Sequence, residues 1–152
     1  MDAISLIKSQ HREVKELFAK YEKAYGKDHK QELFTKIAER LAALAAIELK
    51  LFYPAIYVGP LQDKLAGAVQ QHQAGKRAVD DLLTRDPLNR NYDAKVKVLG
   101  DQLGLLFKEE DDLFPALKKQ FPPQELLGLG EAMEEMFDGL MGINPNQLPA
   151  DA

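Results

Sequence analysis

Cysteine is absent from this chain, which excludes disulfides, thiolate metal sites and cysteine nucleophiles. No apolar run approaches the roughly 18 residues of a membrane-spanning helix. An excess of positive charge is missing too. The 20 Lys and Arg are outnumbered by 24 Asp and Glu, the formal net charge is −4, and the basic residues are scattered among acidic ones. Binding a phosphate backbone needs concentrated positive charge, so nucleic acid is not an expected partner. The opening MDAISLIKSQHREVK has no basic region followed by an apolar run and a small-residue cleavage site. No signal peptide or membrane contact is therefore expected, and the expected location is cytoplasmic. Phosphate loops, dinucleotide fingerprints and nucleophile-triad motifs are lacking, which gives hydrolase and nucleotide-binding readings little weight. No segment carries the alternation of a strand.

Helical periodicity is what the chain does have. Residues 2–25 carry Ile4, Ile7, His11, Val14, Phe18 and Tyr21 in steps of three and four, and Gly26 is a helix stop. A second helix is expected from Asp28, with Gln31 completing a capping box. Its stripe is Ile37, Leu41, Leu44, Glu48 and Leu51 or Phe52, and Pro54 should kink or end it. After Gly59-Pro60, residues 61–84 carry Leu65, Val69, His72, Val79 and Leu82. Residues 85–91, rich in Asp, Pro and Asn, read as a loop. Residues 93–119 carry Val96, Leu99, Leu103, Leu106, Glu110, Leu113 and Leu117. Pro122-Pro123 opens a shorter fifth segment, residues 124–141, with a Met-rich face expected to cap the bundle, cover a seam or form a dimer interface. The tail, 142–152, is expected to lie loosely or fray.

Four long amphipathic segments with short connections predict an all-α, up-down-up-down four-helix bundle with a short fifth helix. The expected division is a bundle over residues 1–120 and a C-terminal helix and tail over 121–152, packed upon it. A weak internal repeat fits this layout. His11 and His72 are 61 positions apart, and Glu48 and Glu110 are 62 apart, each glutamate followed by an aromatic-proline phrase.

His11, Glu48, His72 and Glu110 break the rule that a buried stripe is apolar, one on each helix. An unpaired buried carboxylate costs several kcal/mol. Two carboxylates and two imidazoles at one level must satisfy one another or hold a metal ion, as bundles do with groups converging from facing helices. His29 reads as exposed. Asp111 and Asp112, beside Glu109 and Glu110, read as a solvated acidic face.

These residues resemble the hemerythrin-like HHE cation-binding family. DAISLIKSQHREVKELFAKYE is similar to its first helix, KIAERLAALAAIELKLFYPAI to its second, LAGAVQQHQAGKRAVDDL to its third and VLGDQLGLLFKEEDDLFPALKK to its fourth. The resemblance covers about residues 2 to 120. It implies a non-haem di-iron bundle with an oxygen-bridged pair, used in oxygen, iron or redox-signal handling, with His11, Glu48, His72 and Glu110 as ligands. Two further ligands of the pattern are replaced: Leu44 and Leu106 stand where histidines belong, four residues before each glutamate. Leu105, Leu49 and Gln71 also depart from it.

Leucine coordinates nothing, so a site of reduced ligand number is expected, with fewer than two ions per chain. Three functions follow. The first is a residual site in which His11, Glu48, His72 and Glu110 hold iron, manganese or zinc weakly. The second is a metal-free acid–base enzyme with Glu48 or Glu110 as base. There Leu44, Leu49, Leu105 and Leu106 would line an apolar cavity for a small apolar molecule, with Gly100 and Gly104 leaving open space. The third is a non-catalytic scaffold or sensor, or a variant whose site was knocked out by design. No organic cofactor is indicated. The expected state is a monomer or weak dimer.

Overall fold

The structure is a computed structural model that describes residues 1–142. It is all helical, with no strand among the described residues: α1 (Ala3–Lys23), α2 (Lys27–Ile47), a π-helical turn (Glu48–Phe52), the short α3 (Tyr53–Ile56), a 3-10 turn (Gly59–Leu61), α4 (Gln62–Thr84), α5 (Tyr92–Gln120) and α6 (Pro123–Leu140). Helices α1, α2, α4 and α5 form a closed four-helix bundle in which α1 packs on α2 and α5, and α4 on α2 and α5. The tail expected to fray lies, from residue 143 on, outside the described residues.

Local chemistry sets the helix ends. Asp2 caps α1, its carboxylate accepting the Ser5 amide at 2.8 Å. Gly26, at φ 88, makes the turn between α1 and α2 that a Cβ would disfavour. The capping box expected at Asp28 does not form: α2 starts one residue earlier, with Gly26 as a cap that offers no side chain. Pro123 opens α6 at a position whose N–H would have no helical partner anyway.

Every residue of the expected α5 stripe is buried, from Val96 to Leu117. In the second helix the choice between Leu51 and Phe52 falls to Phe52, which is fully buried. Burying one such side chain stabilises the fold by about 1.5–3 kcal/mol. A few of them therefore offset the cost of the central carboxylates. Tyr21, Asp93 and Lys30 tie α1, α5 and α2 together, with the Tyr21 hydroxyl donating to Asp93 at 2.8 Å and Lys30 at 2.8 Å from its other oxygen.

Pro54 does not simply end the second helix. The chain first widens into the π turn, with the Tyr53 amide bonded to the Glu48 carbonyl five residues back, and Pro54 then enters a further short helical turn. The fifth segment, α6, lies along α1 and α2, with Met133 and Phe137 buried in the common core. No helix among the described residues is long and apolar enough to cross a membrane.

Candidate metal centre

Four elements bring the polar residues of the stripes to one place. His11 comes from the middle of α1, Glu48 from the start of the π turn, His72 from α4 and Glu110 from α5. Their side chains are 4%, 0%, 8% and 1% exposed. His29, by contrast, is exposed, as expected.

The cluster has two unlike sides. On one, His11 Nε2 lies 3.3 Å from Glu110 Oε1 and 4.0 Å from Glu48 Oε1. None of these three buried atoms has a hydrogen-bond partner among the described residues. One donor atom from each of the three residues lies within 4.8 Å of the other two, the spread of a set that can surround one cation. On the other side Tyr53 fills the centre. Its hydroxyl lies 3.0 Å from Glu48 Oε2, 3.0 Å from Glu110 Oε2 and 3.0 Å from His72 Nε2. His72 Nε2 is itself 2.7 Å from Glu48 Oε2. Each carboxylate thus turns one oxygen toward an internal hydrogen-bonded knot and leaves the other without a partner.

The proton inventory explains the electrostatics. A phenol has one proton to donate, so three contacts at hydrogen-bond distance require further protons from carboxyl or imidazole. Burial pushes Glu48 up to about 7, against hydrogen bonds from Glu110 and Tyr53 that favour its charge. Burial, and then the negative charge of Glu48, push Glu110 up to about 8, with His11 pulling the other way. The two titrate as a pair that shares a proton near neutrality. Burial pushes His72 down and Tyr53 far up, so both are neutral at physiological pH.

Nothing in the sequence singles out Tyr53, which stands there only as part of an aromatic-proline phrase. Five residues after Glu48, it would face away on a regular α-helix. The π turn closes an i to i+5 hydrogen bond and so stacks residue 53 over residue 48. Phe107 carries no signal of its own in the sequence either. Its ring stacks on His11 with centroids 4.0 Å apart and planes 13° from parallel. Asp111 is not simply solvated: its Oδ1 is buried, 3.3 Å from His11 Nδ1.

Leu44 and Leu106 are both 1% exposed and packed into the core. Leu44 and Leu49 line an apolar cavity of about 360 Å³ between α2 and α4, which His72 reaches from α4 and Leu103 and Phe107 close from α5. The other two leucines expected there do not line it. Leu105 is 64% exposed on the outer surface, because neighbouring helical residues diverge and Leu106 takes the inward direction. Leu106 is buried within the helix packing instead. Gly100 and Gly104 line a separate groove between α1 and α5, where Phe18 comes within 3.1 Å of the place a Gly100 Cβ would occupy.

Comparison with known proteins agrees with the helical layout. The family model described as "Hemerythrin HHE cation binding domain" matches residues 2–117. No curated protein matches. The chain is similar in fold to the crystal structure of a hemerythrin HHE cation binding domain-containing protein from Mycobacterium kansasii, with a TM-score of 0.84 and 23% sequence identity. The match covers 98% of this chain and 93% of that one.

Proposed function

The chain belongs to the hemerythrin HHE cation-binding domain family, and from that premise we propose that it holds a single divalent cation, between His11, Glu48 and Glu110. The observation that carries this reading is the asymmetry of the cluster. Three buried donor atoms on one side lack partners, while Tyr53 and His72 lie at hydrogen-bond distance from the oxygens on the other. One divalent charge balances two carboxylates and offsets their desolvation, which is otherwise several kcal/mol per ion. Nitrogen and carboxylate donors suit iron, manganese or zinc.

Iron, when bound, would supply redox or oxygen chemistry of the kind associated with the family. The residues of this chain set its surroundings. Phe107 stacks on His11, His72 and Tyr53 lie against the far oxygens, and Tyr53 with the carboxylates can carry a proton. A second reading, a metal-free acid–base pocket, draws support from Glu48 and Glu110, both raised toward neutrality, and from the apolar cavity that reaches His72.

Metal analysis by mass spectrometry together with a visible spectrum tests the proposal. The expected result is one ion per chain after loading with ferrous iron or zinc, without oxo-bridged di-iron absorption. Loss of that ion in Glu48→Gln and Glu110→Gln is expected as well. Two irons per chain with that absorption would overturn it. Two irons with a tyrosinate charge-transfer band would instead make Tyr53 a ligand of a pair. No binding of either ion would leave the acid–base reading.

A further inference from the structure

We propose that Asp111 is a positioning residue for His11, holding its ring in the orientation and tautomer that present Nε2 to a cation. This rests on the one-ion reading of the same site. Two consecutive residues of α5 straddle one imidazole: Glu110 Oε1 is 3.3 Å from Nε2, and Asp111 Oδ1 is 3.3 Å from Nδ1. Neighbouring side chains on a helix diverge, so one backbone step addresses both edges of the ring. Asp111 Oδ1 and His11 Nδ1 are both buried, have no hydrogen-bond partner among the described residues, and meet as an ion-pair contact. The rest of the Asp111 side chain reaches solvent, in a groove shared with Lys8, Arg12 and Lys15.

Phe107 fixes the plane of the ring by stacking. It does not choose between the two tautomers, because a stacked face is indifferent to which nitrogen carries the proton. A carboxylate at Nδ1 does choose. It places the proton there and leaves the Nε2 lone pair free for coordination. Without it, Nε2–H would donate to Glu110, and the imidazole would be spent on a hydrogen bond instead of a cation.

The test uses Asp111→Asn and Asp111→Ala in the full chain, with two measurements. The first is the tautomer of His11 in metal-free protein, read from nitrogen-15 shifts of the three histidines. The wild type should carry the proton on Nδ1, and Asp111→Ala should move it toward Nε2. The second is zinc affinity by competition titration, which should fall about 10- to 100-fold in Asp111→Ala with unchanged stoichiometry, the range for losing a carboxylate behind a ligating histidine. Circular dichroism checks that both variants fold, and Asp111→Asn keeps the shape should alanine disturb it. A wild-type Nε2–H tautomer overturns the proposal. So does a tautomer unchanged in both variants, whatever the affinity, because weaker binding would then be a structural effect. Wild-type protein that binds no zinc would overturn the one-ion reading, while the metal-free tautomer would still decide the role of Asp111.

Discussion

The hydroxyl of Tyr53 bridges Glu48 and Glu110, lying 3.0 Å from one carboxylate oxygen of each. The two carboxylates come from the π turn and from α5, so a single phenol joins the two halves of the bundle at their most polar point. Replacing Tyr53 with phenylalanine keeps the ring and removes the knot. The metal-free variant should lose about 1–3 kcal/mol, the cost of leaving buried oxygens unsatisfied. Urea unfolding of the metal-free protein measures this. A variant as stable as the parent would mean that the hydroxyl contributes no net hydrogen bond.

The raised carboxyls make stability depend on pH with a definite sign. In the folded state Glu48 and Glu110 lie at about 7 and about 8, against 4.5 for an ordinary glutamate. The folded protein therefore binds more protons than the unfolded chain over that interval, and its stability falls as pH rises. His72 is shifted down and works in the opposite direction, but only below its ordinary value of 6.5. Between pH 6.5 and 8.5 the carboxyls dominate, and metal-free protein should lose on the order of 1–3 kcal/mol. A bound cation favours the charged carboxylates and should flatten the slope, as should Glu110→Gln. Unfolding curves at the two pH values, with and without zinc, give the comparison. Stability that rises over this range in metal-free protein would contradict the proton inventory.

Leu44 and Leu106 are the two positions that the family resemblance assigns to histidine, and both are buried. Substituting histidine at both should raise iron loading from one ion to two per chain and bring in the oxo-bridged absorption. Without metal the double variant should be less stable, by about 1–3 kcal/mol for each unpaired polar ring. Metal analysis and thermal unfolding follow the two effects separately. Loading that stays at one ion would show that these positions do not face the centre.

The N-terminus and α6 touch at Gly130. A Cβ added there would lie 2.3 Å from the Met1 carbonyl oxygen and 2.6 Å from the Ala3 amide nitrogen. These are backbone atoms and cannot rotate away. Gly130→Ala should therefore push α6 off the start of α1 and cost about 1–3 kcal/mol, as overpacking does. Gly128→Ala, where a Cβ meets open space, is the control and should be neutral or slightly stabilising. Equal thermal midpoints for the two variants would argue against close packing at this seam.

How much of the centre was legible follows from how each residue gets there. His11, Glu48, His72 and Glu110 stand out because the helical period assigns them to buried stripes, and a polar residue in such a stripe is visible without coordinates. The same geometry overturns the expectation that Leu105 lines the cavity beside Leu106, since the two cannot both face inward. Tyr53 depends on a local change of helical period that no stripe announces. Asp111 sits in an acidic run, Glu109 to Asp112, whose composition matches any solvated surface, and only the approach of α1 brings a histidine to it.

The amino-acid sequence sets the helices, their order and the four polar groups that interrupt the apolar stripes. All of these are properties of spacing along one chain, and hydrophobic period is a local, additive signal. The tertiary structure alone decided which oxygen of each carboxylate is satisfied and which is left without a partner, through the position of Tyr53 over Glu48. It also decided which nitrogen of His11 meets Glu110 and which meets Asp111. Those choices depend on contacts of a few ångströms between helices far apart in sequence, where one turn of π-helix or a small rotation of α5 would exchange one partner for another.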